Sequence, residues 1–198
     1  MDKRKFGLVS IQGRRSNVKP RLQELYFTTL VPALQKQFGY ANKFEVPIIE
    51  KIVINMGLGE AIANPKAIEN ASHDLGLITG QKALVTKAKK SVANFKLREG
   101  QAIGLKVTLR GVRMYEFLDR MVNAVLPRIR DFRGIPEDAF DQAGNYNFGL
   151  KDYMVFPELI YDEVDKPRPM QITIVIRSKG KDASLGLLKS MGFPLKKL

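Results

Sequence analysis

The chain of 198 residues contains no cysteine, no tryptophan and a single histidine, His73. Without cysteine there is no disulfide framework, no thiolate metal site and no thiol nucleophile, a composition that fits a reducing compartment. His73 falls in a helical stretch beside Asp74, where a structural or solvent-facing role outweighs a catalytic one, and no motif supports a Ser-His-Asp arrangement. Long apolar runs are missing too. None approaches the ~20 residues needed to span a bilayer, so no membrane partner is expected. The segment Met1 to Pro20 is basic but lacks the apolar core of roughly 7–15 residues that a secretory signal needs. Phosphate-cradling loops are absent. Gly57-Leu58-Gly59 starts a G-x-G-x-x-G pattern that fails at Ile62, and Gly76 to Ala83 holds no G-x-x-x-x-G-K-[ST]. The last shortage is of acid: 20 Asp and Glu face 33 Lys and Arg, giving a net charge of +13 and a pI near 9.9. Such an excess points to phosphate-bearing partners.

The excess is concentrated. Lys82, Lys87, Lys89, Lys90, Lys96, Arg98, Lys106, Arg110 and Arg113 share one 32-residue segment with a single acid, Glu99. Part of this charge runs through a strand. In Ile103 to Gly111, alternation puts Ile103, Leu105, Val107 and Leu109 on one face and Lys106, Thr108 and Arg110 on the other. A sheet built this way has a core side and a polyanion side.

Other segments follow the same logic. Leu22 to Phe38 has helical periodicity, with Pro32 as a possible kink and Gly39 as its stop. Ile48 to Met56 reads as a strand with Ile52, Ile54 and Met56 inward and Lys51, Val53 and Asn55 outward. Asn64-Pro65 predicts a helix start, with Asn64 as the cap, running to Thr79 and closed by Gly80. Lys82 to Ala88 reads as a strand and Lys89 to Gln101 as a loop. Met114 to Ile129 is the clearest helix, with Glu116 and Arg120 spaced to pair on its wet face. Asp131 to Asp152 reads as a long irregular loop or loose hairpin around Tyr146-Asn147-Phe148. Met170 to Arg177 is a strand with Ile172, Ile174 and Ile176 inward and Gln171, Thr173 and Arg177 outward. Ala183 to Met191 is a closing helix.

The expected architecture is α+β: helices packed on one face of a mixed, largely antiparallel sheet, the other face basic and polar. Residues 1–21 form a basic arm of net charge +6, flexible in isolation and equally readable as an RNA-binding arm or a solvated extension. Residues 22–198 read as a single domain. Ile135 to Pro169 carries net charge −5, which suggests an oriented molecule with different partners on different sides. Within it, Glu158, Asp162 and Asp165 could in principle hold a divalent ion. That makes a metal-dependent nucleic-acid-processing enzyme the alternative to an RNA-binding protein, although a solvated turn is the stronger reading of those acids. No cofactor and no small-molecule substrate are indicated.

Five stretches carry a family resemblance: Lys51 to Ala61 (KIVINMGLGEA), Gly80 to Gly100 (GQKALVTKAKKSVANFKLREG), Ile103 to Gly111, Pro127 to Gly134 (PRIRDFRG) and Gly144 to Gly149 (GNYNFG). In sequence order they resemble the bacterial-type ribosomal protein L-five family, large-subunit proteins that bind 5S ribosomal RNA. The resemblance spans Leu22 to Lys197. It implies a non-enzymatic constituent of the large subunit, placed in the central protuberance, cytoplasmic in a bacterium, with an organellar ribosome left open. Its implied partners are 5S rRNA, large-subunit rRNA, P-site tRNA and the thirteenth small-subunit ribosomal protein, and no homo-oligomer is implied.

Family 5S contacts map onto Asn55, Gln81, Phe95 and Thr108, and Lys87, Lys106 and Arg110 are placed to neutralise phosphates. The loop bearing Lys89, Lys90, Ser91 and Arg98 is similar to one that touches tRNA. The region of Arg128, Arg130, Arg133 and Tyr146 is similar to the part at an intersubunit bridge. The residues themselves add a chemical reading. Asn55 and Thr108 have short polar side chains on the open face. Gln81 sits at a corner where both ends of its amide are free. Phe95 stands in a cationic loop, to stack on a base or to anchor the loop. The arm Met1 to Pro20 departs from the family, and Asn94 stands where some members have glycine, a place for positive φ.

Overall fold

A computed structural model describes residues 19–161 and 164–196. Most of the basic arm, together with Asp162 and Glu163, lies outside the described residues.

The sheet grows from one strand. In β1 (Ile48–Gly57) the side chains of Ile52, Ile54 and Met56 are wholly buried, whereas Asn55 and Gly57 are exposed. Burial of an isoleucine contributes roughly 1.5–3 kcal/mol, so a one-residue slip, which would expose the whole set, is strongly disfavoured. β1 pairs with β3 (Ala102–Leu109) on one side and β6 (Met170–Arg177) on the other, both antiparallel. β2 (Leu84–Lys87) adds outside β3, and β5 (Tyr146–Leu150) adds outside β6. The order is β2-β3-β1-β6-β5, antiparallel at every step rather than mixed. A small parallel pair, β4 (Ile135–Pro136) with β7 (Leu195–Lys196), lies apart from it.

Helices cover the core face. The first runs through α1 (Arg21–Leu25), a π-helical turn (Tyr26–Leu30) and α2 (Val31–Phe38), and ends at Gly39 with φ 66°. α3 (Lys66–Thr79) packs on β3 and closes at Gly80, φ 67°. α4 (Gly111–Arg120) continues through a second π-helical turn (Met121–Val125) into α5 (Leu126–Arg128). α6 (Lys181–Ser190) completes the layer. Both π-helical turns precede a proline, Pro32 in one case and Pro127 in the other. Proline lacks the N–H for the i−4 carbonyl and crowds it, and the widened turn accommodates the loss without a break.

Several expectations need correction. α3 begins at Lys66 with Pro65 at the cap position and no side-chain cap bond, so Asn64 contributes only its carbonyl, to Ala67 N. The clearest helix starts at Gly111, three residues early. Arg120 does not use Glu116. It bonds the Glu158 carboxylate and donates to the Ile78 carbonyl at 3.1 Å, tying the acidic segment and α3 to α4. Of the two readings around Tyr146, the irregular loop gives way to the hairpin: residues 139–141 turn back antiparallel onto residues 145–147, which lead into the edge strand β5 with Tyr146, Phe148 and Leu150 inward.

Candidate nucleic-acid interface

The antiparallel register lines up the outward residues in rows. Lys106, Asn55, Gln171 and Gly149 are direct partners across β3, β1, β6 and β5. Thr108, Val53, Thr173 and Asn147 form the next row. With strands ~4.8 Å apart, each row crosses roughly 14 Å of open sheet. Apart from Lys106 and Gln171 the side chains of these rows are short or absent, so a nucleic acid can approach the sheet closely.

Asn55, Lys106 and Arg110 are exposed and Thr108 is half-buried, as the alternation predicts, and Lys87 is exposed as well. Gln81 differs from expectation. Its amide Nε2 donates to the Thr108 carbonyl at 3.0 Å, so one of its two N–H donors is committed and the amide is fixed in place, leaving its oxygen and second N–H free. The bond holds the corner after α3 against β3, which fixes where Thr108 is presented.

Residues 88–101 form a projecting loop with its own internal bonding. Ala88 and Gln101 close its base, and Val92 pairs with Leu97 near its tip. The Ser91 hydroxyl accepts from Glu99 N at 2.9 Å, and the Gln101 side chain accepts from Arg98 N at 3.1 Å. The left-handed residue of the turn is Lys96, φ 52°, not Asn94. Phe95 is 72% exposed, so it does not anchor the loop in its own domain. An aromatic ring held out by an ordered cationic loop is suited to stacking on a base. Lys89, Lys90, Ser91 and Arg98 are exposed on the same loop.

The density of unpaired cations marks this region. Among the described residues, Lys82, Lys87, Lys89, Lys90, Lys96, Arg98, Lys106, Arg110 and Arg113 make no ion pair. Elsewhere the picture is mixed: Arg128, Arg130, Arg133 and Lys51 are also without an ion pair among the described residues, whereas other cations find acids. Arg21 meets Asp119 at 2.5 Å, Lys189 meets Glu137 at 2.7 Å, and Arg177 lies 3.8 Å from Glu50. Unpaired lysines and arginines gathered on one side form a field that attracts polyanions.

The acidic segment is bound into the fold. Arg168, only 4% exposed in its side chain, reaches Glu60 at 2.6 Å and Asp165 at 3.1 Å, and it approaches the Tyr153 hydroxyl, which donates to Asp74 at 2.7 Å. The Arg168 hydrogen bond, followed by that of Lys166, holds the Glu60 carboxyl below its ordinary range. Burial, reinforced by Asp74, raises the Tyr153 phenol. Glu158 and Asp165 are thus engaged by separate arginines rather than turned toward a common cation, and no cluster suited to a metal occurs among the described residues. His73 is exposed, 3.8 Å from Asp74.

In the third region, Arg128, Arg130 and Arg133 are exposed. Tyr146 is not. Its ring is wholly buried and its hydroxyl donates to the Pro136 carbonyl at 2.8 Å, so it braces this surface from beneath. Beside it lies an apolar cleft of about 680 Å³, with Leu126, Ile129, Phe132, Phe148 and Leu150 in its wall. No described helix is long and apolar enough to cross a membrane.

Comparison with known proteins identifies relatives over most of the chain. Residues 42–98 match a family described as ribosomal protein L5, and residues 102–195 match the C-terminus of that ribosomal family. Proteins named large ribosomal subunit protein uL5 are similar over most of the chain. That of Carboxydothermus hydrogenoformans is 54% identical over 175 residues, 88% of this chain and 98% of the relative. That of Syntrophomonas wolfei is 52% identical over 176 residues, 89% and 99% of the two chains. That of Streptococcus pneumoniae (strain Hungary19A-6) is 53% identical over 177 residues, 89% and 98%.

Proposed function

Because the chain belongs to the uL5 family of large-subunit ribosomal proteins, and is therefore a structural component of the ribosome rather than an enzyme, we propose that its open sheet face binds 5S rRNA. The observation that carries the reading is the concentration of charge. Nine cations share residues 82–113 with one acid, none of the nine makes an ion pair among the described residues, and Lys106 stands on the open face of a sheet whose opposite face is sealed by helices. Lys87, Lys106 and Arg110 neutralise phosphates and set orientation. Asn55, Thr108 and the free oxygen of Gln81 supply polar contacts to bases or ribose hydroxyls. Phe95 stacks on an unpaired base.

The loop of Lys89, Lys90, Ser91 and Arg98 projects past the sheet and contacts P-site tRNA. The surface of Arg128, Arg130 and Arg133, braced by Tyr146, faces the thirteenth small-subunit protein at an intersubunit bridge. Large-subunit rRNA lies against the remaining basic surface in the central protuberance. The test is a hydroxyl-radical footprint of the purified protein on 5S rRNA, using Asn55→Ala and Thr108→Ala. One continuous protected region that shrinks locally in each variant supports the sheet-face site. Protection unchanged by either variant places the RNA elsewhere.

A further inference from the structure

The open face has a hollow of about 550 Å³ where β1, β6 and β5 meet, bounded by Asn55, Gly57, Asn147, Gly149, Lys151 and Gln171. Its two glycines are not required by the chain's own fold. Neither has positive φ. A Cβ placed on Gly57 would meet nothing within 4 Å, and one on Gly149 would meet only the Met170 carbonyl, at 4.0 Å. Gly104, on the same sheet, is the contrast. There a Cβ would lie 2.8 Å from the Met56 carbonyl and 2.9 Å from the Thr86 hydroxyl. Glycine weakens a strand, and one that neither positive φ nor internal crowding demands is suited to the close approach of a ligand.

The hollow is lined with amides. Asn55 and Gln171 are exposed and directly opposite one another across β1 and β6, and Gln171 is opposite Gly149. Asn147 is oriented: its Oδ1 accepts from the Thr173 hydroxyl at 2.6 Å, which leaves its NH₂ to donate. Side-chain amides carry both donor and acceptor and so match the edges of bases. The exposed Lys151 supplies a cation at the rim, while Asn55 continues the row from Lys106.

We propose that this hollow seats one unpaired nucleotide of the bound RNA. Asn55, Gln171 and Asn147 read its base edge, and its backbone passes against Gly57 and Gly149. The subsite rests on the proposed placement of RNA on this face and deepens it, since it reads sequence where the lysines only position.

The test uses the full chain with bacterial 5S rRNA as probe. Gly57→Ala combined with Gly149→Ala is compared with Lys106→Ala combined with Arg110→Ala. The glycine double variant should lose tenfold or more in affinity, with an unchanged slope of log K against log salt and a melting temperature unchanged or higher. One unpaired base protected from dimethyl sulfate by the parent protein should become reactive. Unchanged affinity in the glycine variant, with weakened binding in the charge variant, overturns the subsite and leaves the sheet-face reading standing. If neither weakens, the sheet-face reading fails as well. A fall in melting temperature would mean that the glycines serve the fold, and loss of backbone protection alone would mean a groove rather than a base site; either result overturns the proposal.

Discussion

Lys106 and Leu109 lie three residues apart on β3 and point to opposite sides of it, so one strand can test the division of the sheet into two faces. Leu109 is wholly buried. Leu109→Ala removes core volume that its neighbours only partly refill, at a cost of about 2–5 kcal/mol. Against a total stability on the order of 5–15 kcal/mol, that should lower the melting temperature by roughly 5–20 °C for a chain of this size. Lys106 is exposed and without an acid partner among the described residues. Lys106→Ala should shift stability by no more than about 0.5 kcal/mol. It should weaken 5S binding evenly across RNA sequences and make the slope of log K against log salt shallower by about 0.7–0.9. Thermal melts and filter binding at several salt concentrations read both effects. A Lys106→Ala protein that melts early, beside a Leu109→Ala protein of normal stability and reduced affinity, would show that the faces are inverted.

Phe95→Ala should leave the melting temperature unchanged, because the ring is exposed, and should reduce RNA affinity by about 1–3 kcal/mol; unchanged affinity would remove the ring from the interface. Lys89→Ala with Lys90→Ala should impair tRNA contact in assembled ribosomes while 5S association persists. Crosslinks from Lys90 that reach only 5S rRNA would defeat that division of labour. Glu60 has a depressed folded pKa, set first by the Arg168 hydrogen bond and then by Lys166. Its contribution is therefore full above the unfolded carboxylate value of about 4.3 and is lost as pH falls through the lower folded value. The melting temperatures of Glu60→Gln and the parent should differ at neutral pH and converge in acid. A gap that widens below pH ~4 would contradict the pairing.

How far the fold could be read depended on the range of the forces involved. Strand alternation is local, and it located β1, β3 and β6 and their faces because a period of two is visible in Ile52, Ile54 and Met56 or Leu105, Val107 and Leu109. The same alternation in Tyr146, Phe148 and Leu150 identifies β5, but a five-residue strand with Asn147 and Gly149 between them gives a weak signal, and surrounding turn residues mask it. That is why the strand around Tyr146 was not legible as one. Partners distant in sequence were not legible. Arg120 has an acid four residues back, yet it binds Glu158, 38 residues on, because the packed acidic segment brings a carboxylate to it. The donation from Gln81 to the Thr108 carbonyl likewise exists only once α3 and β3 are in place. The π-helical turns are local and could have been anticipated from Pro32 and Pro127.

The most direct measurement of the central claim is the salt dependence of 5S rRNA binding by the purified full chain. If the unpaired cations of the β2–β3 side and its loop neutralise ~5–7 phosphates, log K should fall linearly with log salt with a slope on the order of −4 to −6. Removing Lys87, Lys106 and Arg110 together should make that slope shallower by about two to three. A flat response in the parent protein, or a slope unaffected by losing all three, would contradict the account.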